Sequence, residues 1–265
     1  MKIDHQESSR DFGKQFLRDS KIDDYWGSLE MLQDIVNPFD LGEIKNKIVM
    51  EVGAGSGRIL NNLIKFSPKI VYALEPSEAI MVAKKNNQNQ KNKIDYLNIK
   101  AEDLKIKNQL DYVFSLGVIH HIPNYKLACS NIYKSLKPGG KFIVWVYGFE
   151  GNETYILIFN NLRRITRVLP DTLLRIFCNF LNLLCYIYIL LCRFINLPMK
   201  KYMLKIFNKC SYQKRNYIIF DQLNPSYSKY FKKSEVNELL KESGFVDIKL
   251  YHRHNYSWLA IAEKK

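Results

Sequence analysis

Short apolar runs alternate with stretches of helical periodicity along this chain of 265 residues. Runs rich in β-branched residues and lacking polar alternation are typical of strands that are buried on both faces. Such runs lie within Lys47–Leu60, at Ile70–Leu74, at Ile94–Ile99, at the start of Asp111–Pro123 and at Lys141–Tyr147. Two further strands, Val246–Tyr251 and Tyr256–Ala262, are predicted at the end. Strands separated by helical segments indicate an α/β fold with a parallel sheet.

The helical segments divide the chain into four parts. A pattern at Leu29, Leu32, Ile35 and Val36, ended by Pro38, predicts a helix in an N-terminal helical cap over 1–46. Residues 47–149 form the predicted core, which includes a helix at Leu127–Leu136. Residues 150–219 form a helical insertion, and residues 220–265 return to the core.

A glycine-rich turn follows the first strand, with Gly53, Gly55 and Gly57 in G-A-G-S-G. Glycines allow a backbone to approach a ligand closely, so the turn predicts a nucleotide-type cradle whose amides face the ligand. The dinucleotide fingerprint G-x-G-x-x-G would need a third glycine at position 58, where Arg58 stands. A nicotinamide cofactor is therefore disfavoured.

With Glu51 two places before the first glycine, E-x-G-x-G-x-G resembles the first motif of class I S-adenosylmethionine-dependent methyltransferases. The resemblance implies a doubly wound, mostly parallel seven-stranded sheet with an antiparallel last strand, and here an α-helical insertion before the last two strands. It also implies S-adenosyl-L-methionine as cofactor, with Gly53, Ala54, Gly55 and Gly57 under its methionine part and Glu51 facing its ammonium group.

Two later elements resemble further motifs of this family. Glu75-Pro76 ends the second strand, where a carboxylate can accept hydrogen bonds from both ribose hydroxyls. A surface acid at a strand end is the alternative. Ala101-Glu102-Asp103 resembles the adenine-binding element, and the sequence does not choose between the two acids.

The most specific resemblance is D-Y-V-F-S-L-G-V-I-H-H-I-P at Asp111–Pro123. It is similar to the sequence at the fourth strand and its exit in small-molecule methyltransferases. It implies that the backbone at Ser115, Leu116 and Gly117 meets the methionine of the cofactor, and that His120 and His121 border the methyl group. A histidine there could accept a proton from the acceptor. The alternative is that the pair only shapes the pocket.

Substrate contacts are expected from aromatic and acidic residues around the core. F-D-Q-L-N-P-S-Y-S-K-Y-F at Phe220–Phe231 resembles a block in bacterial methyltransferases with a helical insertion. This resemblance makes Asp221, Tyr227 and Tyr230 candidates, although a helix-entry turn is an equal alternative. Tyr147 at the end of the fifth strand and Tyr25 in the cap are further candidates.

The helical insertion carries an unusual charge and apolarity. Glu150–Arg215 has eleven Lys or Arg against three Asp or Glu, and Ile176–Cys192 has no charge at all. Seventeen residues are at the lower limit for a membrane span. A lid over the active site, or an interfacial helix pair making peripheral contact with anionic lipid through 150–215, is favoured. Cys178, Cys185 and Cys192 would form one stripe, which we interpret as filler between helices.

Composition and charge also limit which partners and which cellular location we expect. Five cysteines without a C-x-x-C pair argue against disulfides and zinc, so no metal is expected. The first ten residues have no apolar core, so we expect a cytoplasmic protein, with the inner face of the membrane as an alternative location. The formal charge is +14, but no nucleic-acid-binding signature accompanies it, so nucleic acid is not the expected partner. The oligomeric state is not indicated.

The sequence therefore predicts a methyltransferase acting on a small-molecule, sugar or lipid-linked acceptor. Methyl transfer from a sulfonium needs mainly orientation and exclusion of water, which fits a set of motifs devoted to the cofactor. An RNA or protein methyltransferase, motivated by the charge, is one alternative. A non-catalytic membrane-associated module that keeps the fold is the other.

Overall fold

The computed structural model describes residues 25–166, 169–223 and 228–265. Seven strands form its sheet: β1 Ile48–Val52, β2 Ile70–Leu74, β3 Ile94–Leu97, β4 Leu110–Leu116, β5 Leu136–Tyr147, β6 Phe245–Arg253 and β7 Ser257–Lys264. β5 begins five residues before the predicted Lys141, because Leu136 already pairs with Leu110 of β4.

The strand order is β3-β2-β1-β4-β5-β7-β6. β1 pairs in parallel with β2 and β4, and β4 with β5, whereas β7 runs antiparallel to both of its neighbours. The predicted fold, a mostly parallel seven-stranded sheet with an antiparallel last strand, is confirmed. The strand order reverses between β1 and β4, and ligands of such sheets bind at the carboxyl ends beside that point.

Nine helices accompany the sheet in the part of the chain that the structure describes. They are α1 Leu29–Val36, α2 Arg58–Leu63, α3 Ala79–Asn86, α4 Tyr125–Ser135, α5 Glu153–Thr166, α6 Asp171–Phe194, α7 Lys200–Lys205, α8 Tyr212–Leu223 and α9 Lys233–Glu242. α1 begins where the Ser28 hydroxyl accepts from the Met31 amide at 3.1 Å, which satisfies a backbone donor of its first turn.

Apolar side chains cover both faces of the central strands. On β5, Phe142, Val144 and Val146 pack with α4 and α9, while Ile143 and Trp145 pack on the opposite face with α1. Successive side chains of a strand point to opposite faces, so one apolar run supplies two cores. This double burial explains why the strands read as continuous apolar runs.

Helices α5 to α8 follow β5 and have a core of their own. Leu174 and Cys178 of α6 are buried there with Phe207 and with Phe220 of α8. Tyr202 of α7 packs against the core of the sheet, so the insertion lies on the core domain. In α6, Thr172–Phe194 is long and apolar enough to cross a membrane, with a mean hydropathy of 1.8, and only 22% of its most apolar window is buried.

Candidate active site

A cavity of about 610 Å³ lies at the carboxyl ends of β1, β2 and β4, with Met31 and Ile35 of α1 in its wall. We call it the first cavity. Most of the residues that the sequence assigns to the cofactor line it: Glu51, Gly53, Ala54, Gly55, Glu75, Pro76, Ala101, Glu102, Leu116 and Gly117. Motifs separated by more than sixty residues in sequence therefore meet at one site.

The glycine turn has backbone angles that only glycine adopts readily. Gly53 has φ +78°, and a Cβ there would lie 2.3 Å from a methyl of Val118, so the residue can carry no side chain. Gly57 has φ +80° but does not line the cavity. A Cβ at Gly57 would lie 2.6 Å from the side-chain amide nitrogen of Asn87, so the absence of a side chain leaves room for Asn87. Gly57 therefore serves the packing of α3 on the turn.

The amides of the turn are used inside the protein, contrary to the expectation that they face a ligand. Gly53 and Ala54 both donate to the carbonyl oxygen of Leu74, at 2.7 and 3.0 Å. Gly55 donates to Oε2 of Glu75 at 3.0 Å. These bonds fix the turn to the end of β2, so the glycines contribute its shape and its close approach to the cavity rather than free donors.

Glu51 is the most perturbed acid in the first cavity. It is 3% exposed, and its Oε2 has no hydrogen-bond partner among the described residues. Burial raises the pKa of its carboxyl well above the usual value, and the nearby Glu75 raises it further, while Arg58 opposes both. A buried carboxylate oxygen without a partner is costly, and a cationic ligand group would relieve that cost.

Glu75 anchors the neighbouring wall. Its Oε1 accepts from the amide and the hydroxyl of Ser77, at 3.0 and 2.6 Å, while Oε2 holds Gly55. A carboxylate has about four lone-pair sites, so acceptor capacity remains for ligand hydroxyls in the cavity. Glu75 thus couples the turn after β1 to the end of β2.

The structure separates the two acids of the adenine-binding element. Glu102 lines the first cavity, whereas Asp103 is exposed and does not. Asn131 of α4 donates to the carbonyl oxygen of Glu102 at 2.6 Å and holds this turn in place. The Leu116 and Gly117 backbone lines the cavity as expected, but Ser115 does not, because its side chain is fully buried between the sheet and its helices.

The adjacent histidines have different surroundings. His121 lines the first cavity. His120 is fully buried, with its ring 4.1 Å from the Tyr147 ring and 4.2 Å from the His121 ring, between centroids. Neither of its nitrogens has a hydrogen-bond partner among the described residues, and burial lowers its pKa well below the usual value. His120 is thus a neutral packing group behind Tyr147, and of the two histidines only His121 lines the cavity.

The predicted substrate residues are only partly brought together. Tyr147 and Asp221 line the first cavity, and Tyr230 stacks on Tyr147 with ring centroids 5.8 Å apart. Tyr25 does not line it, because its ring packs on the core beside Lys209, whose Nζ lies 4.7 Å from the ring centroid. Tyr227 lies outside the described residues.

A second cavity, of about 320 Å³, adjoins the first. Tyr147, Tyr217 and Asp221 line both, so the two cavities share a wall at these residues. The rest of its wall comes mainly from the helical insertion and is mostly apolar, with Phe159, Cys185, Met199, Met203, Phe207 and Ile219 among its members. Tyr230 also lines it.

Gln222 of α8 connects the tyrosines at the junction of the two cavities. Its Oε1 accepts from the hydroxyl of Tyr155 at 2.8 Å and from that of Tyr230 at 3.5 Å. Its Nε2 donates to the hydroxyl oxygen of Tyr147 at 3.1 Å. Burial raises the pKa of Tyr147 well above its usual value, with Asp221 and Tyr230 raising it further, so this phenol is protonated at neutral pH.

Sequence reasoning missed several residues of the cavity walls. Asn124 and Tyr217 line the first cavity but lie in no motif, and Val118 lines it as an unassigned member of the motif at Asp111–Pro123. Met31 and Ile35 could have been assigned, because they are four residues apart on the apolar face of a helix predicted to cover the site. In the part of the chain that the structure describes, no cluster of three metal-ligating side chains occurs.

Comparisons with known proteins agree with this geometry. Residues 50–144 match a family model described as "Methyltransferase domain". The tRNA U34 carboxymethyltransferase of Pseudoalteromonas atlantica is 29% identical over 139 residues, which are 52% of this chain and 42% of that protein. The tRNA U34 carboxymethyltransferase of Helicobacter acinonychis is 30% identical over 132 residues, 47% of this chain and 48% of that protein. The chain thus spans less than half the length of these curated relatives.

Solved structures share the fold at low identity. A chain in the complex of the Haloferax volcanii Trm112 methyltransferase activator with a methyltransferase superposes with a TM-score of 0.57, at 14% identity and covering 97% of both chains. Haemonchus contortus phosphoethanolamine N-methyltransferase 2, in complex with phosphomonomethylethanolamine and S-adenosylhomocysteine, gives 0.54 at 15% identity, covering 96% of this chain and 60% of that chain.

The wall of the first cavity fits S-adenosylmethionine. The partnerless Glu51 oxygen suits its ammonium group, Glu75 suits its ribose and Glu102 suits its adenine. Because Gly53 carries no side chain, the backbone of the turn can approach the methionine part of the cofactor. Residues 50–144 thus form a methyltransferase domain, and the fold and these residues are those of a class I S-adenosylmethionine-dependent methyltransferase.

Proposed function

We propose that the protein transfers a methyl group to an apolar small-molecule or lipid-linked acceptor that occupies the second cavity. The observation that carries this proposal is the mostly apolar cavity of about 320 Å³ that meets the cofactor cavity at Tyr147, Tyr217 and Asp221. An acceptor there would have its apolar part among insertion side chains and its reactive atom at the junction.

The second cavity favours an apolar ligand because few polar groups face it. Burial of apolar surface contributes roughly 25 cal/mol per Å² and does not require directed contacts. Several of the polar groups in its wall are connected beside the junction, where Gln222 holds the hydroxyls of Tyr147, Tyr155 and Tyr230. Sites with apolar walls and a few convergent polar groups orient their ligands in this way.

The cofactor supplies an electrophilic methyl group on a sulfonium, so the chain has to orient the acceptor, exclude water and accept its proton. Tyr147 accepts a hydrogen bond from Gln222 and is protonated, so its own O–H can donate to a polar atom of the acceptor. His121, which lines the first cavity, and Asp221, which lines both, are the groups placed to accept a proton.

A transfer RNA is the second candidate acceptor. The curated relatives are named as tRNA U34 carboxymethyltransferases, which speaks against our expectation that nucleic acid is not a partner. The charge of +14 is compatible with RNA binding. The likeness spans less than half of those relatives, and most of the second cavity is lined by residues outside the matched domain at 50–144.

Label transfer separates the two candidates. The full chain is incubated with S-adenosylmethionine carrying a labelled methyl group and with either a total lipid extract or total tRNA. We expect label in the organic phase with the lipid extract. Nuclease-sensitive label in the RNA fraction, with none in the organic phase, would replace this proposal with the tRNA activity.

A cavity-filling variant tests whether the acceptor occupies the second cavity. Cys185→Phe places a ring in the second cavity and should lower transfer to the lipid fraction roughly tenfold or more, at an overpacking cost of about 1–3 kcal/mol in stability. The affinity for S-adenosylmethionine should not change, because Cys185 does not line the first cavity. Unchanged transfer by this variant would show that the acceptor does not bind in the second cavity.

A further inference from the structure

We propose that the outer face of α6 docks this protein on an anionic phospholipid bilayer, with the helix lying flat at the lipid surface. The outer face is the stripe Ile176, Phe180, Leu183, Ile187, Leu190 and Phe194, whose members are between 53% and 80% exposed. They repeat at intervals of three and four residues, so they share one side of the helix. Soluble monomers rarely expose contiguous apolar patches beyond a few hundred Å².

The opposite side of α6 is already packed. Leu174, Cys178, Ile189 and Cys192 are at most 4% exposed in the core of the insertion. The helix therefore has two apolar faces, and only the inner one has a protein partner among the described residues. Core packing does not explain the outer face.

Asn182 shows that the helix lies on the membrane rather than across it. It is fully buried at the middle of α6, where its amide donates to the Tyr212 carbonyl oxygen at 3.0 Å and to Asn216 at 2.8 Å. A membrane crossing would break this attachment to α8 and expose Asn182 to hydrocarbon. A helix of 24 residues lying flat covers about 36 Å of surface.

The charge around α6 matches anionic headgroups. Between residues 154 and 220 the chain has eleven Lys or Arg and a single acid, Asp171. Of these cations, Arg163, Lys214 and Arg215 are buried and do not reach a membrane surface. Arg193 is exposed at the end of α6, and Lys201 and Lys205 are exposed on the following helix. Each basic residue near an anionic membrane surface contributes roughly 1 kcal/mol of attraction, so the rim adds to the apolar contact.

Other occupants of the outer face fit less well. In a dimer through this stripe, Arg193 would approach either its own copy or Arg175 of the second copy, and both are cations. A nucleic acid would contact the cations but would leave the six exposed apolar side chains between Ile176 and Phe194 without a partner. An anionic bilayer satisfies both the apolar stripe and its basic rim.

The same helix serves the acceptor site, a point that rests on the proposed function. Cys185 and Tyr188, on the inner side of α6, line the second cavity, as does Ile158 of α5, which is 55% exposed. A helix whose outer side contacts lipid and whose inner side lines an apolar cavity would let a membrane-dissolved acceptor enter without passing through water.

The test is flotation of the full chain with vesicles of phosphatidylcholine alone or with one third phosphatidylglycerol. The wild-type protein should float with the anionic vesicles, and less in high salt. The double variant Leu183→Glu/Ile187→Glu should bind them at least roughly tenfold more weakly, since it puts two charges into the apolar contact. Met81→Glu is the matched control, because Met81 is 61% exposed on α3, outside the insertion, and this variant should float like the parent.

Affinity for S-adenosylmethionine is measured on every variant and should stay constant, which shows that each one is folded. Absence of wild-type flotation, or equal flotation of the double variant, would overturn the proposal. A wild-type dimer that the double variant converts to a monomer, without flotation, would make a second copy the occupant. If the wild-type protein binds RNA and the double variant does not, RNA rather than a bilayer would be the partner of the outer face. Flotation without a labelled lipid product would keep the docking and remove the proposed acceptor.

Discussion

Substitution of Glu51 by glutamine is the sharpest test of how the first cavity holds its cofactor. Glutamine keeps the shape of the side chain and removes the negative charge, so packing is conserved. Hydrogen bonds to charged groups contribute about 1.5–3 kcal/mol each. Loss of that contact to the ammonium group should therefore weaken S-adenosylmethionine binding roughly 10- to 150-fold.

The same substitution should stabilise the protein without cofactor. Burial and the neighbouring Glu75 raise the pKa of the folded Glu51 carboxyl above its usual 4.5, so its protonated form favours the fold. That contribution is complete below pH 4.5 and is lost as pH rises through the folded pKa. Glu51→Gln does not titrate, so its stability advantage over the parent should be absent below pH 4.5 and grow above it.

Calorimetric titration gives the affinity, and denaturant unfolding across pH gives the stability. Glu43→Gln is the control, because Glu43 is partly exposed, pairs with Lys141 at 2.9 Å and does not line the cavity. Its cofactor affinity should equal that of the parent. If Glu51→Gln binds the cofactor as tightly as the parent, the carboxylate does not face the ammonium group and the reasoning fails.

Two further pairs of substitutions test the glycine turn and the two histidines. Gly53→Ala should destabilise the fold by about 3 kcal/mol in denaturant unfolding, since its Cβ would lie 2.3 Å from Val118, whereas Gly139→Ala, at φ +75° with open space around it, should cost about 1 kcal/mol. Equal losses would mean that backbone strain alone matters at Gly53. His120→Phe should keep kcat within about threefold, because His120 only packs against Tyr147, while His121→Phe should lower it roughly 100-fold. The reverse order in steady-state kinetics would exchange their roles.

Much of the lining of the first cavity could be predicted because its information is local. Glu51, the glycine turn and Glu75 each directly follow or end a buried strand, and carboxyl ends of parallel strands meet at one edge of a sheet. Spacing within the motif did not reveal that Gly57 supports α3 rather than the cavity. That role depends on Asn87, thirty residues away.

The histidine pair shows a limit of sequence reasoning. His120 and His121 are neighbours on a short 3₁₀ turn, and their rings contact each other with centroids 4.2 Å apart. The rings of Trp145 and Tyr147, on β5, lie beside His120, which is fully buried, whereas His121 lines the cavity. The residue types alone gave both the same chemistry.

The insertion was predictable as helices but not as a site. Its second cavity combines side chains from α5 to α8 with Tyr147 and Tyr256, and periodicity predicts only which side of each helix is apolar. α6 is apolar on both sides, so the pattern could not tell its inner face from its outer face. Its three cysteines do lie in or beside the helical core, as their stripe predicts.

The proposed function requires that the cofactor cavity and the second, apolar cavity meet at Tyr147. A crystal structure with S-adenosylhomocysteine tests it most directly, because the sulfur marks the place of methyl transfer. We predict that the amino group lies at Glu51, the ribose at Glu75 and the sulfur toward Tyr147 and the second cavity. A sulfur directed away from Tyr147, or a ligand bound outside the first cavity, would contradict the account.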